Sequence, residues 1–428
     1  MKRNVIILSF LFVGMASFGQ QARIDIGKDK CLSASNYLAY PGPLQRTLTA
    51  APAGYSPFYI SHYGRHGSRY LIGAGDYDKP YFTLLRADSL GKLTNKGREV
   101  LEKVRRIREE AMGRDGELTR RGATQHKGIA KRMYERFPQV FEGKTNIDAK
   151  STVVIRCILS MENELQQLLV LNPQLNIRHD ASYHDMYYMN LDDNKLEKNK
   201  GTKEVKRALE EFDVRHSHPE RVMRELFNDD KYWMDSVKFS SLYSKLFTLA
   251  SNVQSTELRY KLSLYDLFND DEIYDNWLVN NAYWYVTFGP SPLTGGRQPF
   301  SQRNLLRKMI SEADSCMAYD HPGATLRFGH EVDVLPLACL LELNNCAKQI
   351  DDLEKLDDEG WNNYRIFPMG CNIQFIFYRK SAKDKDVIFK VLLNENETTL
   401  PLKTNMAPYY HWDDFRDYYL KKLDSYKE

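Results

Sequence analysis

The stretch "SHYGRHGSRY", residues 61–70, crowds Arg65, His66 and Arg69 around glycines. Cations held this close repel one another unless an anion sits among them. Arginine presents a planar, permanently charged fork of donors, so two or three of them fix a tetrahedral phosphate by charge and geometry together. A histidine in their midst can bind that phosphate or attack it. Attack needs a neutral imidazole, with one ring nitrogen held as donor and the other presenting its lone pair. Neighbouring arginines favour the neutral ring and also neutralise the phosphoryl oxygens. The cluster therefore points to a bound phosphate dianion, with a basic surface turn as the plainer alternative.

Three segments share one grammar of strand, charged residue, then helix or loop. "PFYI" reads as a buried strand running into Arg65 and a polar loop. "STVVIRCILS" reads as a β-branched strand with Arg156 at its end and a helix from near Ser160. "TLRF" leads into His330 and a further helix. Ligands of open α/β sheets bind beyond the carboxyl ends of strands, so these three ends can meet in one crevice. Helical patterns fill 81–112 and 118–137, the second with Thr119 as N-cap, and "CNIQFIFYRK" and "DVIFKVLLNENE" read as two more strands. The texture from 181 to 305 is polar, aromatic and helical. The expected fold is α/β, a mixed sheet flanked by helices, formed by 21–180 and 306–428, with 181–305 as a helical insertion or cap domain.

Composition narrows the classes. The 428 residues are 42% hydrophobic and 27% charged, which suits a large globular core. A net charge of +3 gives no broad field for nucleic acid. Residues 1–20, "MKRNVIILSFLFVGMASFGQ", place Lys2 and Arg3 before an apolar run and small residues, the pattern of a cleaved signal peptide. Its loss takes the charge from +3 to +1, and no later run is long enough to span a bilayer. The expected location is the periplasm or the external medium, without stable membrane insertion. Six cysteines in so long a chain do not make a disulfide scaffold, and no Cys/His zinc spacing occurs.

The pattern R-H-G-x-R is stricter than its parts, and it resembles the signature of the histidine phosphatase superfamily, in its acid phosphatase and phytase branch. "LTRRGATQH" resembles that branch's helix after the first motif, "STVVIRCILS" its middle strand, and "FGHEVDVLPL" its C-terminal motif. "VLLNENETTLPL" is similar to the tail of the multiple inositol polyphosphate phosphatases. The resemblance implies a phosphoric monoester hydrolase in which His66 forms a phosphohistidine and Arg65, Arg69, Arg156 and His330 hold the phosphate. It implies an acid beside the second histidine as proton donor, and no metal or other cofactor. Here the order His330-Glu331-Val332-Asp333 departs from both family patterns, His-Ala-Glu and His-Asp. Glu331 is the favoured donor, and Asp333 the alternative, although Asp333 also suits an N-terminal helix cap. The implied partner is a small phosphorylated substrate: inositol polyphosphate first, a broad range of acid phosphatase substrates second. A phosphate-binding protein without turnover is a third reading.

Other residues invite blander readings. Arg178, His179, Asp180, His184 and Asp185 read as a loop ordered near the site rather than a metal cluster. "RHSHPE" reads as a solvated histidine pair, and the pairs Arg105–Arg106 and Arg120–Arg121 as solvated helix faces. His62 and His126 are structural or touch substrate; "NET" at 396–398 fits a glycosylation sequon.

Overall fold

A computed structural model describes residues 20–190 and 193–427; the signal-peptide reading of 1–20 falls almost wholly outside them. Eight strands form one mixed sheet among the described residues: β1 (Ser56–Arg65), β2 (Asn146–Ser151), β3 (Asn176–Ala181), β4 (Gly323–Gly329), β5 (Asn372–Arg379), β6 (Ile388–Leu393), β7 (Asn396–Glu397) and β8 (Tyr410–His411). Their order is β3-β2-β4-β1-β5-β6-β7, with β8 also on β6. The first four run parallel, β5 pairs antiparallel with β1, and β6 pairs antiparallel with β5. β4 is buried along its whole length, as a central parallel strand covered on both faces must be. Alternation along β1 sends Tyr59 and Tyr63 into one apolar cluster and Ile60 into the other.

Helices Arg120–Arg136 and Ile155–Leu171 cover one face, packing Ile129, Met133, Leu165 and Leu168 beneath the sheet. The other face carries helices Arg303–Met317 and Trp412–Asp424 and a continuous core that extends into the helical region. Described residues from 182 to 322 form helices and turns, with one isolated bridge from Phe227 to Leu93. That bridge, together with the packing of helix Phe239–Val253 on helices Gly75–Ser89 and Asn95–Ala111, ties the helical region to earlier parts of the chain.

Two details position the site. The parallel register sets Arg65 opposite Gly329, so the residues after each strand, His66 and His330, emerge side by side. Thr119 caps its helix through a hydrogen bond from Gly122 N at 3.2 Å, as the sequence predicts. The Thr119 N–H and hydroxyl both donate to Ser68 O, at 2.9 and 3.0 Å, fastening that helix end to the loop after His66.

Candidate active site

The loop after β1 is held on every side. His66 N–H donates to Gly329 O at 2.9 Å, and Gly370 N–H donates to His66 O at 2.8 Å. Gly67 N–H reaches Ser160 Oγ at 3.1 Å, and Ser68 N–H reaches Gln125 Oε1 at 2.8 Å. Glycine is required where this loop meets the helix. A Cβ on Gly67 would lie 2.6 Å from Gly122 O, and one on Gly122 would lie 2.3 Å from Ser68 O.

His66 is fully buried, with Nδ1 2.9 Å from Gly67 O and Nε2 lacking a hydrogen-bond partner. An Nδ1–H donating to that carbonyl leaves the Nε2 lone pair free. Burial first, and then the Arg65 and Arg156 charges, push the ring's pKa well below the ordinary value. His330 follows for the same reasons, lowered to about 4 by burial and the three arginines. The two rings meet edge to face at 5.7 Å, and Thr152 Oγ1 lies 3.2 Å from His330 Nε2.

The arginines are spent to different degrees. Arg65 donates to Phe367 O at 2.8 Å and Asn36 O at 2.7 Å, and its Nε faces the Glu331 carboxylate at 3.0 Å. Arg69 gives one bond to Tyr70 O, at 3.0 Å, and its Nε is unpaired. Arg156 has a buried, unpaired Nε. The last two therefore hold donors in reserve for an incoming anion.

Glu331 stands 3.0 Å from Arg65 Nε and 3.6 Å from His66 Nε2. Burial would raise its carboxyl, but Arg65, His66 and Arg69 override it and hold the group well below the usual range. Asp333 is different. Its Oδ2 accepts from His330 N at 3.2 Å and lies 2.8 Å from Tyr63 Oη, which also lies 2.9 Å from Met189 O. Burial pushes Asp333 up to about 7. Protonated, Asp333 can donate to Tyr63 and free that hydroxyl hydrogen for Met189. Asp333 thus completes the capping box at the start of helix Glu331–Leu340, a structural post behind the site.

His66, His330 and Glu331 offer ligand atoms within 4.8 Å of one another. The positive field of Arg65, Arg69 and Arg156 opposes a divalent cation there.

The six expected residues, Arg65, His66, Arg69, Arg156, His330 and Glu331, share one electrostatic neighbourhood. Arg156 reaches it from another element than expected. β2 stops at Ser151, and Arg156 lies in the first turn of helix Ile155–Leu171, because the Thr152–Val154 link already turns away from the sheet. Arg178, His179 and Asp180 do not form a loop at the site. They lie on the exposed edge strand β3, where Arg178 pairs with Asp148 at 3.1 Å and His179 with Glu162 at 2.6 Å. Arg121 is half-buried and donates to Gln254 O, so it is not a solvated face. His216 pairs with Glu354 at 2.9 Å. Asn396 is half-buried with both ends of its amide bonded, to Gln45 N and Asn394 O, which ill suits a glycan. His62 and His126 are both buried in structural roles, His126 against Glu164 at 2.9 Å. Sequence reading missed Ser160, Gln125, Thr152 and Tyr63. All are uncharged, and all four lie inside the quoted segments, Tyr63 in the first and the others in two of the later motifs.

Comparison with known proteins decides the family. The profile of the histidine phosphatase superfamily (branch 2) matches residues 65–394. The chain belongs to that superfamily. This phosphatase has no match among curated proteins. Solved structures share its fold. One is the Bifidobacterium longum multiple inositol polyphosphate phosphatase in complex with phosphate, at TM-score 0.74 and 17% identity over 92% of this chain and 98% of that one. The same protein with inositol hexasulfate gives TM-score 0.73 and 16% identity, over 89% and 96%. The phytase from D. castellii gives 0.67 and 13%, over 92% and 85%.

Proposed function

We propose that this phosphatase is exported and hydrolyses inositol polyphosphates of the phytate kind through a phosphohistidine on His66. The observation that carries the reading is the His66 ring, pinned at Nδ1 by Gly67 O with Nε2 unpartnered beside the arginines. Nε2 attacks phosphorus, the N–P bond forms, and the ester P–O bond breaks. Glu331 gives its proton to the departing alkoxide, then takes one from the water that cleaves the N–P bond and releases phosphate. Arg65, Arg69, Arg156 and His330 hold the phosphoryl oxygens throughout.

Glu331 lacks that proton before substrate binds, and the substrate supplies the reason to gain it. A bound phosphate dianion beside the carboxylate opposes its negative charge and so raises its affinity for a proton. Substrate also competes for Arg65 and Arg69. The same carboxyl is thereby an acid in the complex and a base once the phosphoryl group is on His66.

The substrate class is supported by the fold shared with the inositol polyphosphate phosphatase and phytase structures. The segment 181–305 is read as the cap that adds contacts to a multiply phosphorylated ring, and residues 1–20 as the export signal. A broad acid phosphatase is the second reading, favoured by the acid standing directly after His330.

The test is phosphate release from phytate and from an aryl phosphate, with chelator present, for the native protein and His66→Ala. Native turnover with histidine-bound phosphate trapped by an alkaline denaturing quench, where the N–P bond survives, both lost in the variant, is the expected result. Normal turnover by His66→Ala sinks the mechanism, and a clear preference for the aryl ester sinks the substrate assignment.

A further inference from the structure

A cavity of about 740 Å³ runs along one face of helix Arg120–Arg136, and none of the six active-site residues lines it. Arg121, Gln125, Gly128 and Arg132 recur at helical spacing along its floor. A glycine inside a helix costs about 0.5–1 kcal/mol relative to alanine; at Gly128 it keeps the middle of that floor open. The opposite wall comes from Tyr40–Gly42 and from the chain after helix Phe239–Val253, which brings Arg259.

Four arginines and one glutamate, Glu257, line this groove. Their compensation is uneven. Arg132 is neutralised by two bonds to Glu395, at 2.8 and 2.6 Å, and Arg259 leans on Glu257 at 3.1 Å. Arg121 makes its bond to a neutral carbonyl, Gln254 O. Neither Arg120 nor Arg121 has a carboxylate within ion-pair distance among the described residues. Burial and the Arg259 charge lower the Arg121 pKa, although Asp29 partly offsets them. Gln125 is buried with Oε1 taken by Ser68 N and Nε2 lacking any acceptor. Two guanidinium groups without a carboxylate partner thus share one cavity, while the Gln125 amide nitrogen is buried beneath its floor.

We propose that this groove is a second binding site for a small, multiply charged phosphorylated molecule, held by Arg120 and Arg121 with Arg259 on the opposite wall. Arg120 and Arg121 are separate side chains and Arg259 stands on the opposite wall, so a molecule with several charged groups meets more of them at once than orthophosphate can. Gln125, which lines the floor, also holds Ser68 N through Oε1, two residues from His66. The groove lies outside the active-site machinery, so this inference stands whether or not the proposed substrate is right.

The experiment is calorimetric titration of the signal-free protein with myo-inositol hexasulfate, which carries no phosphoester to cleave. Two variants are compared with the native chain: Arg120→Ala/Arg121→Ala, and Thr124→Glu. Thr124 is exposed and lines the groove, so the second variant adds a repelling charge without unpacking a core. Each variant is expected to bind one fewer hexasulfate per chain than the native protein, and orthophosphate is expected to leave the groove empty. Unchanged stoichiometry in Thr124→Glu overturns the site. Orthophosphate displacing hexasulfate from the groove overturns the multiply charged ligand, and points to released product instead.

Discussion

At the residue scale, two carboxyls two positions apart have opposite surroundings. Glu331 faces Arg65 and His66 and is held ionised, whereas Asp333 faces Tyr63 and a backbone N–H and is pushed up to about 7. A raised pKa by itself suggests an acid catalyst, yet Asp333 spends both oxygens on the fold, against His330 N, Tyr63 and Gln302. In the mechanism proposed above, the proton donor is therefore Glu331. Glu331→Gln is expected to slow hydrolysis of an alkyl phosphate by about 10²–10⁴-fold. Phosphoenzyme formation from a nitrophenyl ester, whose leaving group needs no proton, is expected to change far less. Asp333→Asn is expected to lower Tm while sparing this leaving-group dependence. The reverse pattern in pre-steady-state kinetics would move the proton to Asp333.

The element that matters most to precision is helix Arg120–Arg136, because its first turn touches the nucleophile loop without a side chain between them. "LTRRG" is legible in sequence as a capped helix start, from Thr119 and the pattern behind it. That Gly122 is needed for close approach to Ser68 is not legible, since the contact joins residues 54 apart in the chain. Gly122→Ala would place a Cβ 2.3 Å from Ser68 O, so helix and loop must part. The expected outcome is a loss of about 1–3 kcal/mol in denaturant unfolding, the range for overpacking. A fall in kcat larger than the change in KM should accompany it, because the loop carries His66, the proposed nucleophile. Wild-type kcat in a destabilised variant would show that the contact is structural only. Arg156 makes the same point in reverse. Its type and approximate place were readable, but the β-branched "STVVI" looked like strand up to Ile155. Tertiary context ended β2 four residues earlier.

For the whole molecule, burying histidines beside arginines makes stability depend on pH. Burial, helped by His126 and Arg327, lowers His62 to about 3, and His330 is lowered to about 4; His66 is lowered too. Unfolded, each returns to about 6.5. As pH falls below 6.5 the unfolded chain takes up protons that the folded chain refuses, so stability present at neutral pH is lost towards pH 4. Each such group contributes a slope of about 1.4 kcal/mol per pH unit. Asp333 acts the other way, since its folded carboxyl keeps a proton up to about 7 and loses that stabilisation as pH rises. Glu164, Asp275 and Asp357, raised by burial, act with Asp333, so the histidines' share is read from a variant rather than from the net slope. His62 bonds to nothing through either nitrogen, so His62→Leu sacrifices no polar contact. Its unfolding free energy is expected to fall less steeply with acid than that of the native chain, by about one histidine's slope. An unchanged slope would show that His62 is not held neutral.

The sequence determined the chemistry on offer. Local patterns are written in neighbouring residues, so Arg65, His66, Arg69, Arg156, His330 and Glu331, the strands ahead of His66 and His330, and the helical character of 181–305 could be read from the chain itself. Only tertiary structure decided how those groups are used. Register between β1 and β4 sets His66 beside His330, while burial and the surrounding charges separate Glu331 from Asp333. The fold also draws the Arg120–Arg121 pair and Arg259, more than a hundred residues away, into one groove. Each of these depends on distances between chain segments remote in sequence, and electrostatics acts through those distances.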